Sequence, residues 1–421
     1  MPSKKTSPIW HPFTQHALFP EMTHIDRGEG AYLYTKDGKR LIDGISSWWV
    51  TTHGHCHPRI QKAVQDQIAK LDQVIFAGYT HDPAEAVAEG LLKMTPDGLD
   101  YVFFSDSGST AVEVALKMAL GYWHHVGSSR HKIIVMEHSY HGDTIGTMSV
   151  GERGVFNKPY DPLLFTVDSI PFPEKGSEQL TLDALEKALS ADGETAALIV
   201  EPLVLGAGGM MMYPAWVLKE MHALCRKHGA LFIADEVMTG WGRTGTPFAC
   251  EQADVVPDIA CYSKGITGGS LPLAVTLCDE KIFDAHYSED RSKTFFHSSS
   301  YTANPVACAA AAENLRIWQD EPVQQRINFI ADSHRAFLKS LDDDDRFENR
   351  RQTGTIVAVD IKVKDEGYLS DIAPKLYRYF QENGILMRPL GNTVYILPPY
   401  CVTESDLNEM YNAILSGADL V

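Results

Sequence analysis

Short apolar runs alternate with amphipathic segments between about residue 55 and residue 310. The runs include DYVFFSD, HKIIVMEHS, AALIVEPLVL and ALFIADEVM, and glycine or polar residues follow each of them. Runs that are apolar on both faces are typical of buried parallel strands, and the segments between them would be the helices that cover the sheet. The pattern predicts an α/β protein whose large domain, residues 55–310, has a mostly parallel central sheet.

The pattern changes toward the C-terminus. A helical stretch over roughly 305–340 precedes the acidic break LDDDDRFENRR and the strand-like TGTIVAVDIKV. A helix over roughly 369–383 and two short strands, in ILMRPLG and TVYILPPYCV, follow. This order predicts a small α+β domain over residues 311–421. We expect the N-terminal segment 1–54, with its turn-like YTKDGKRLID, to pack with that small domain.

Composition narrows the kind of partner. The chain has 421 residues, of which 44% are hydrophobic and 22% charged, as in ordinary globular proteins. Its 37 basic and 55 acidic residues give a formal charge of −18, which argues against nucleic acid or an anionic membrane as partner. Seven scattered cysteines without CxxC spacing, and the lack of an apolar leader in MPSKKTSPIWHPF, favour a cytoplasmic protein with reduced thiols.

The segment FFSDSGSTAVEVALKMAL places a polar turn between a strand that ends at Ser105 and a helix that begins near Ala111. Gly108, Ser109 and Thr110 would then lie at a helix N-terminus, where free N–H groups and hydroxyls can bind a phosphate. The alternative is simple N-capping by serine or threonine, which this segment alone does not exclude.

Polar residues also end three other apolar runs. Asp235 ends ALFIAD, Lys264 follows the next run about thirty residues later, as one crossover between parallel strands would give, and Tyr140 with His141 follows HKIIVMEH. Each has an ordinary alternative: a loop cap for the aspartate, a solvated charge for the lysine, a core aromatic for the tyrosine. Together with the phosphate cup, however, they match the four attachments of pyridoxal 5′-phosphate: phosphate, ring face, ring nitrogen and aldehyde.

The motifs SDSGSTAVEVALKMA, ADEVMTGWGRTG and CYSKGITGG resemble those of the class III (fold type I) aminotransferases, and the resemblance covers essentially the whole chain. It implies pyridoxal 5′-phosphate as cofactor and a homodimer with its active sites at the interface. The segments WHPFTQ, SSWWVTTHGHCHP, YHGDT and RPLGNTVYILPPY resemble in particular those members that convert 8-amino-7-oxononanoate to 7,8-diaminononanoate in biotin synthesis. S-adenosylmethionine is the implied amino donor. Another ω-aminotransferase, acting on 4-aminobutyrate, ornithine or a diamine, is the alternative.

The resemblance also implies roles for particular residues in holding the cofactor. Lys264 would bind its aldehyde and move a proton, Asp235 would face its ring nitrogen, and Tyr140 would stack on its ring. The phosphate would be bound by Gly108, Ser109 and, across the dimer interface, Ser300. A threonine is common at the position of Ser300, and a tyrosine at that of Phe13, so one hydroxyl near the reacting amine is replaced by a phenyl ring.

The same resemblance implies five substrate-binding residues. Trp48 and Trp49 would wall the substrate tunnel, Arg388 would bind the carboxylate of the keto acid, and Arg243 and Tyr395 would line the substrate side. Without the resemblance, the tryptophans could equally be a buried core pair and Arg388 a surface ion-pair residue.

The cluster HGHCH suggests a metal site, because alternating positions of an extended segment share a face. Ligands two residues apart would crowd one ion, and no carboxylate or second Cys/His pair follows, so we expect no metal. A metal-dependent hydrolase built on His53, His55, Cys56 and His57 is nevertheless the rival interpretation from a different class of enzyme. A scaffold that keeps the fold without catalysis is another.

Overall fold

The computed structural model of the chain describes residues 7–19, 21–364 and 367–420. The expectation of no apolar leader depends in part on residues 1–6, which lie outside the described residues. The strands in the described part are β1 Ile25–Glu29, β2 Tyr32–Thr35, β3 Arg40–Asp43, β4 Tyr101–Ser105, β5 Lys132–Met136, β6 Asp168–Ile170, β7 Thr195–Val200, β8 Val204–Leu205, β9 Met211–Met212, β10 Leu231–Asp235, β11 Ile259–Tyr262, β12 Ala274–Cys278, β13 Phe347–Thr353, β14 Ile356–Ile361, β15 Ile385–Leu386 and β16 Thr393–Ile396. The helices are α1 Ser46–Trp49, α2 Pro58–Lys70, α3 Asp82–Met94, α4 Gly108–His125, α5 Ile145–Ser149, α6 Glu178–Ser190, α7 Ala215–His228, α8 Glu280–His286, α9 Pro305–Asp320, α10 Val323–Ser340, α11 Ile372–Glu382 and α12 Glu404–Gly417.

A seven-stranded sheet forms the centre of the molecule, in the order β4-β12-β11-β10-β7-β5-β6. Only β12 runs against the others, since it pairs antiparallel with both β11 and β4 while the remaining pairs are parallel. Every residue of β7, β10 and β11 is buried, which is why these strands read as unbroken apolar runs. The predicted α/β fold with a mostly parallel central sheet is confirmed.

The carboxyl ends of β5, β7, β10 and β11 share one edge of this sheet, and β4 delivers α4 to the same edge. Helix α4 begins at Gly108, earlier than the predicted start near Ala111. The connection from β10 to β11 contains only a 3-10 helix, Ala249–Ala253, where a full crossover helix was expected. Gly242 (φ +88°) and Gly245 (φ +111°) explain the difference, because a right-handed α-helix cannot pass through such residues.

The N-terminal and C-terminal segments share a second, four-stranded sheet of order β1-β2-β3-β15, in which β15 lies parallel to β3. A third sheet, β13-β14-β16, is antiparallel. The expected boundary between residues 310 and 311 would cut α9, a continuous helix that packs on α2 and α3. The helical stretch 305–340 instead divides into α9 and α10 at Glu321 and Pro322. The division into domains stays a prediction, and the natural place for its last boundary is this break.

Strand β13 is a feature that the sequence pattern hid. Its first five residues, FENRR, belong to the stretch predicted as an acidic break, yet the strand pairs with β14 along most of its length. The strand is at the edge of its sheet and most of its side chains are polar and at least partly exposed, so no apolar run marks it. Among the described residues, every helix is too short or too polar to traverse a lipid bilayer.

Candidate active site

Lys264 follows β11 at the carboxyl edge of the central sheet. It begins a 3-10 turn with φ +49°, a left-handed conformation that few residues other than glycine adopt. Its Nζ lies 5.3 Å from the centroid of the Trp49 ring. Burial lowers the pKa of the Lys264 ammonium; Asp235 and Glu201 oppose this shift, and Arg243 adds to it. A lysine with a lowered pKa holds more free amine at neutral pH, as a nucleophile toward an aldehyde requires.

Asp235 ends β10, the strand next to β11, and is aligned with Cys261. Its buried carboxylate accepts a hydrogen bond from the backbone N–H of Val237 at 3.1 Å and another from Nδ1 of His141 at 2.7 Å. Burial alone would lower the pKa of His141, but the hydrogen bond and the charge of Asp235 raise it overall. His141 thus offsets the cost of burying the Asp235 carboxylate at the sheet edge, where a cationic ring nitrogen could also meet it.

Tyr140 lies beside this pair, after β5, and its side chain is half-buried. Its backbone N–H donates to Oε1 of Glu201 at 2.9 Å, and the N–H of Gly206 donates to Oε2 at 3.0 Å. Burial raises the pKa of the Glu201 carboxyl to about 7, with His141 lowering and Asp235 raising it. Sequence reasoning missed Glu201, although the signal was available: it follows the apolar run of β7 at the same edge as Asp235.

The N-terminus of α4 is capped by a side chain and also leaves backbone N–H groups open. Ser107 is the N-cap and forms a reciprocal capping box with Thr110. Within the described residues, the N–H groups of Gly108 and Ser109 have no protein acceptor, so they are available to an anion. A Cβ on Gly108 would come within 2.5 Å of the Val237 side chain, so the close approach of this helix end to the loop after Asp235 requires glycine.

A cavity of about 330 Å³ opens beside these groups. Six of the predicted site residues line it: Trp48, Trp49, Tyr140, Lys264, Arg388 and Tyr395. The structure therefore brings the lysine, the stacking tyrosine and most of the expected substrate-binding residues to one space.

Aromatic side chains form much of the cavity wall. Trp49 is buried and its Nε1 donates to the hydroxyl of Tyr395 at 3.0 Å. Trp48 is 40% exposed and meets the ring of Phe13 edge-on at 5.6 Å. The Arg388 guanidinium lies 5.5 Å from the Trp48 ring centre and donates one N–H to the backbone carbonyl of Phe13. Its remaining N–H groups can serve a carboxylate.

Five predicted residues do not line this cavity: the cofactor-binding Asp235, Gly108 and Ser109 described above, and Arg243 and Ser300. Arg243 is 1% exposed, and its guanidinium donates to the carbonyls of Pro398 at 2.9 Å and Thr51 at 3.0 Å. It supports the wall rather than lining it. Ser300 is exposed, and its carbonyl accepts a hydrogen bond from Nε2 of Gln73 at 2.6 Å. A phosphate contact of Ser300 across an interface stays a prediction, since it requires a second chain.

The histidines of HGHCH are each engaged separately. In the described part of the chain, no three metal-ligating side chains are grouped to hold an ion. The nearest partners are Asn314 for His53 (2.8 Å), Asp43 for His55 (2.8 Å) and Glu321 for His57 (3.3 Å). Their side chains thus turn to three different parts of the fold.

The residues at the sheet edge fit pyridoxal 5′-phosphate. The free N–H groups at the start of α4 match its phosphate, and the buried carboxylate of Asp235 matches its ring nitrogen. The aldehyde would meet Lys264, and the ring face would meet Tyr140.

Comparison with known proteins agrees with this fit. The model of the aminotransferase class-III family matches residues 15–416. The chain therefore belongs to the class-III aminotransferase family and is a transaminase that uses pyridoxal 5′-phosphate. The predictions of family, enzyme class and cofactor are confirmed.

Among similar proteins, the adenosylmethionine-8-amino-7-oxononanoate aminotransferase of Synechococcus elongatus is 47% identical over 421 residues, covering 98% of each chain. The protein of the same name from Geobacter sulfurreducens is 37% identical and covers 96% of this chain and 94% of its own. The crystal structure of the Methanocaldococcus jannaschii protein of that name superposes with a TM-score of 0.94 at 32% identity, over 98% of this chain and 97% of that one. A PLP-bound amine transaminase from an uncultivated Pseudomonas species gives a TM-score of 0.91 at 30% identity, over 99% of both chains.

Proposed function

We propose that this enzyme transfers the amino group of S-adenosylmethionine to 8-amino-7-oxononanoate, which yields 7,8-diaminononanoate for biotin synthesis. The observation that carries the proposal is the cavity, in which Lys264 shares one space with the tryptophan pair and Arg388. Relatives named for this reaction match over nearly the full chain. A largely aromatic wall that carries the Arg388 guanidinium suits a long keto acid with a terminal carboxylate.

The residues around the cofactor each have a definite task in this proposal. The cofactor supplies an aldehyde that accepts the amino group and a ring that takes up electrons. Nζ of Lys264 removes the proton from the carbon that bears the donor's amino group, and it delivers a proton to the acceptor carbon in the second half-reaction. Asp235, held by His141, keeps the ring nitrogen protonated, and Tyr140 packs on the ring.

Both substrates use one site in turn, as a ping-pong mechanism requires. Trp48 and Trp49 exclude water from the chain of the keto acid, and the guanidinium of Arg388 binds its carboxylate. Arg243 supports this wall from behind through its hydrogen bond to the Thr51 carbonyl. Tyr395 is part of the wall and accepts the hydrogen bond from the Trp49 indole.

We also infer that the enzyme is a homodimer that acts in the cytoplasm. The region around Ser300 exposes large apolar side chains: Ile75, Tyr79, Phe296 and Tyr301. The hydrogen bond from Gln73 to Ser300 joins their two segments into one surface, which suits an interface. The cysteines of the chain are all free, as in a reducing compartment. Sedimentation should give a dimer, and Tyr301→Asp should dissociate it; a monomeric wild type would contradict the inference.

The donor half-reaction tests the choice of substrates. Purified enzyme is mixed with S-adenosylmethionine, lysine, 4-aminobutyrate or ornithine, and the absorbance of the bound cofactor is followed in a single turnover. We expect S-adenosylmethionine to convert the cofactor to its amine form, and 8-amino-7-oxononanoate to return it to the aldehyde form. Conversion by 4-aminobutyrate or ornithine alone would replace the proposal with another ω-aminotransferase activity.

A further inference from the structure

The segment of residues 51–57, TTHGHCH, lies behind the active-site cavity and lines none of it. It nevertheless contacts the two turns that carry the most important side chains of the cavity. We propose that this histidine segment is a positioning element that holds both Lys264 and the tryptophan pair in place. The inference rests on the proposed roles of those residues.

The first contact runs from His53 through Asn314 to the lysine turn. Nδ2 of Asn314 donates to the carbonyl oxygens of Gly265 at 3.1 Å and Ile266 at 3.0 Å, the two residues that follow Lys264. Oδ1 of Asn314 faces Nε2 of His53 at 2.8 Å, and both side chains are buried. The oxygen and the NH₂ group of the Asn314 amide therefore both have hydrogen-bond partners.

The protonation of His53 fixes the direction of this hydrogen bond. Burial lowers the pKa of His53 to about 3, although the hydrogen bond to Asn314 opposes the shift. Because Oδ1 of Asn314 can only accept, the neutral ring must carry its proton on Nε2. The donated hydrogen bond keeps the amide from flipping, so its N–H groups stay directed at the turn of Lys264, whose φ of +49° needs support from its surroundings.

The second contact runs from His55 through Asp43 to the tryptophan turn. Oδ2 of Asp43 accepts hydrogen bonds from Nε2 of His55 at 2.8 Å and the hydroxyl of Ser47 at 3.1 Å. Oδ1 accepts from the backbone N–H groups of Ser47 at 2.8 Å and Ile45 at 3.3 Å. The carboxylate is fully buried, so each of these contacts replaces hydration that folding removed.

The turn that Asp43 holds is conformationally unusual. Ser46, Ser47 and Trp49 have φ of +52°, +62° and +66°, in the left-handed region. Three such residues within four positions persist only where neighbouring groups fix them. This conformation carries Trp48 and Trp49 to the cavity wall.

The two turns are also tied to each other through this part of the chain. The N–H of Thr52 donates to the carbonyl of Gly268, just beyond the lysine turn, at 3.3 Å. A Cβ on Gly269 would lie 2.5 Å from the carbonyl of Val50, so the two backbones touch at a point that admits only glycine. The turn of Lys264 and the segment that follows the tryptophan pair are thus in direct backbone contact.

The two contacts, one through His53 and one through His55, predict different defects. His53→Phe loosens the lysine turn, so we expect kcat of both half-reactions to fall by an equal factor of about 10 to 100, with KM unchanged. In the cofactor-free protein, the pH midpoint for chemical labelling of the Lys264 amine should move upward, because its pKa is lowered mainly by burial. His55→Phe should instead raise KM for the keto acid and shift the tryptophan fluorescence of the cofactor-free protein, with the labelling midpoint unchanged.

Conservative variants separate positioning from general support of the fold. Gln places an N–H donor close to the position of Nε2, so His53→Gln should keep the wild-type labelling midpoint, whereas the shorter His53→Asn should shift it. His334→Phe is the matched control: His334 is equally buried, has its pKa lowered to about 3 by burial, and bonds the hydroxyl of Tyr411 at 2.7 Å, away from the cavity. It should lower stability without either kinetic signature.

The proposal is overturned if His53→Phe and His55→Phe give the same kinetic defect, or if both merely reproduce the loss of stability of His334→Phe. Should His53→Phe fail to fold, equal labelling midpoints for His53→Gln and His53→Asn would overturn it as well. Labelling and fluorescence are measured without cofactor or substrate. They therefore distinguish failure of this inference from failure of the proposed function.

Discussion

Nδ1 of His141 donates to Oδ2 of Asp235 over 2.7 Å, with both side chains buried at the carboxyl edge of the central sheet. A buried carboxylate is costly without a partner, and the imidazole offsets this cost while the other oxygen accepts from the N–H of Val237 at 3.1 Å. In the part of the chain that the structure describes, Nε2 of His141 has no partner. The Asp235 carboxylate lies at the sheet edge where we expect the ring nitrogen of the cofactor.

Replacing Asp235 with Asn should remove that charge and preserve the shape of the site. The ring nitrogen would lose its proton more easily, so the proton-transfer step should slow by at least about 100-fold with cofactor still bound. Single-turnover absorbance measures this step. Unchanged transfer rates would show that Asp235 is only a loop cap, held by its hydrogen bonds to His141 and Val237.

Lys264→Ala should abolish turnover, with a loss of several orders of magnitude, because no other lysine among the described residues lines the cavity and could move the proton. Borohydride reduction of the wild type should attach the cofactor to Lys264, as a mass shift on one peptide. Lys219→Ala removes an exposed lysine that pairs with Asp254 and should change neither result. Attachment at any other lysine would refute the assignment.

The carboxyl of Glu201 should make the stability of the cofactor-free protein depend on pH. Its pKa rises from 4.5 to about 7, mainly by burial, so the folded state binds the proton more tightly than the unfolded state. The stability it contributes is complete below about pH 4.5 and is lost as pH rises through about 7. Between pH 5 and pH 8, Glu201→Gln should therefore gain stability relative to the wild type, by at most about 3 kcal/mol. Urea unfolding at both pH values measures this, and a pH-independent difference would contradict it.

Arg388→Ala should weaken the half-reaction with the keto acid by roughly 2–4 kcal/mol, the cost of leaving a carboxylate unpaired in a partly buried site. The donor half-reaction should change less if its carboxylate is bound elsewhere. Arg378→Ala is a suitable control, because Arg378 also holds the N-terminal segment, through the Leu18 carbonyl at 3.1 Å, yet does not line the cavity. Equal loss in both half-reactions would indicate that Arg388 serves both substrates or the fold.

The sheet edge could be predicted because its information is local. Asp235 and Lys264 each follow an unbroken apolar run, and neighbouring parallel strands place their ends together. The polar turn before α4 likewise indicated a helix start, near Ala111, within three residues of the observed start at Gly108. These features depend only on residues that lie close together in the sequence.

Contacts between distant segments could not be predicted in the same way. The Trp49 indole reaches Tyr395 across 346 positions, and Asn314 reaches the turn of Lys264 across 49 and 48. No local pattern encodes such pairs. The burial of Arg243 likewise depends on how the loops near Thr51 fold over it, so its place behind the cavity wall could not be predicted from the sequence.

Isotope transfer tests the central claim most directly. The enzyme is incubated with S-adenosylmethionine carrying ¹⁵N at its α-amino group and with unlabelled 8-amino-7-oxononanoate, and the products are analysed by mass spectrometry. The account predicts 7,8-diaminononanoate with one ¹⁵N and an equal amount of the 2-oxo acid of the donor. Absence of the labelled diamine, in a preparation that transfers nitrogen from 4-aminobutyrate or ornithine to another acceptor, would contradict it.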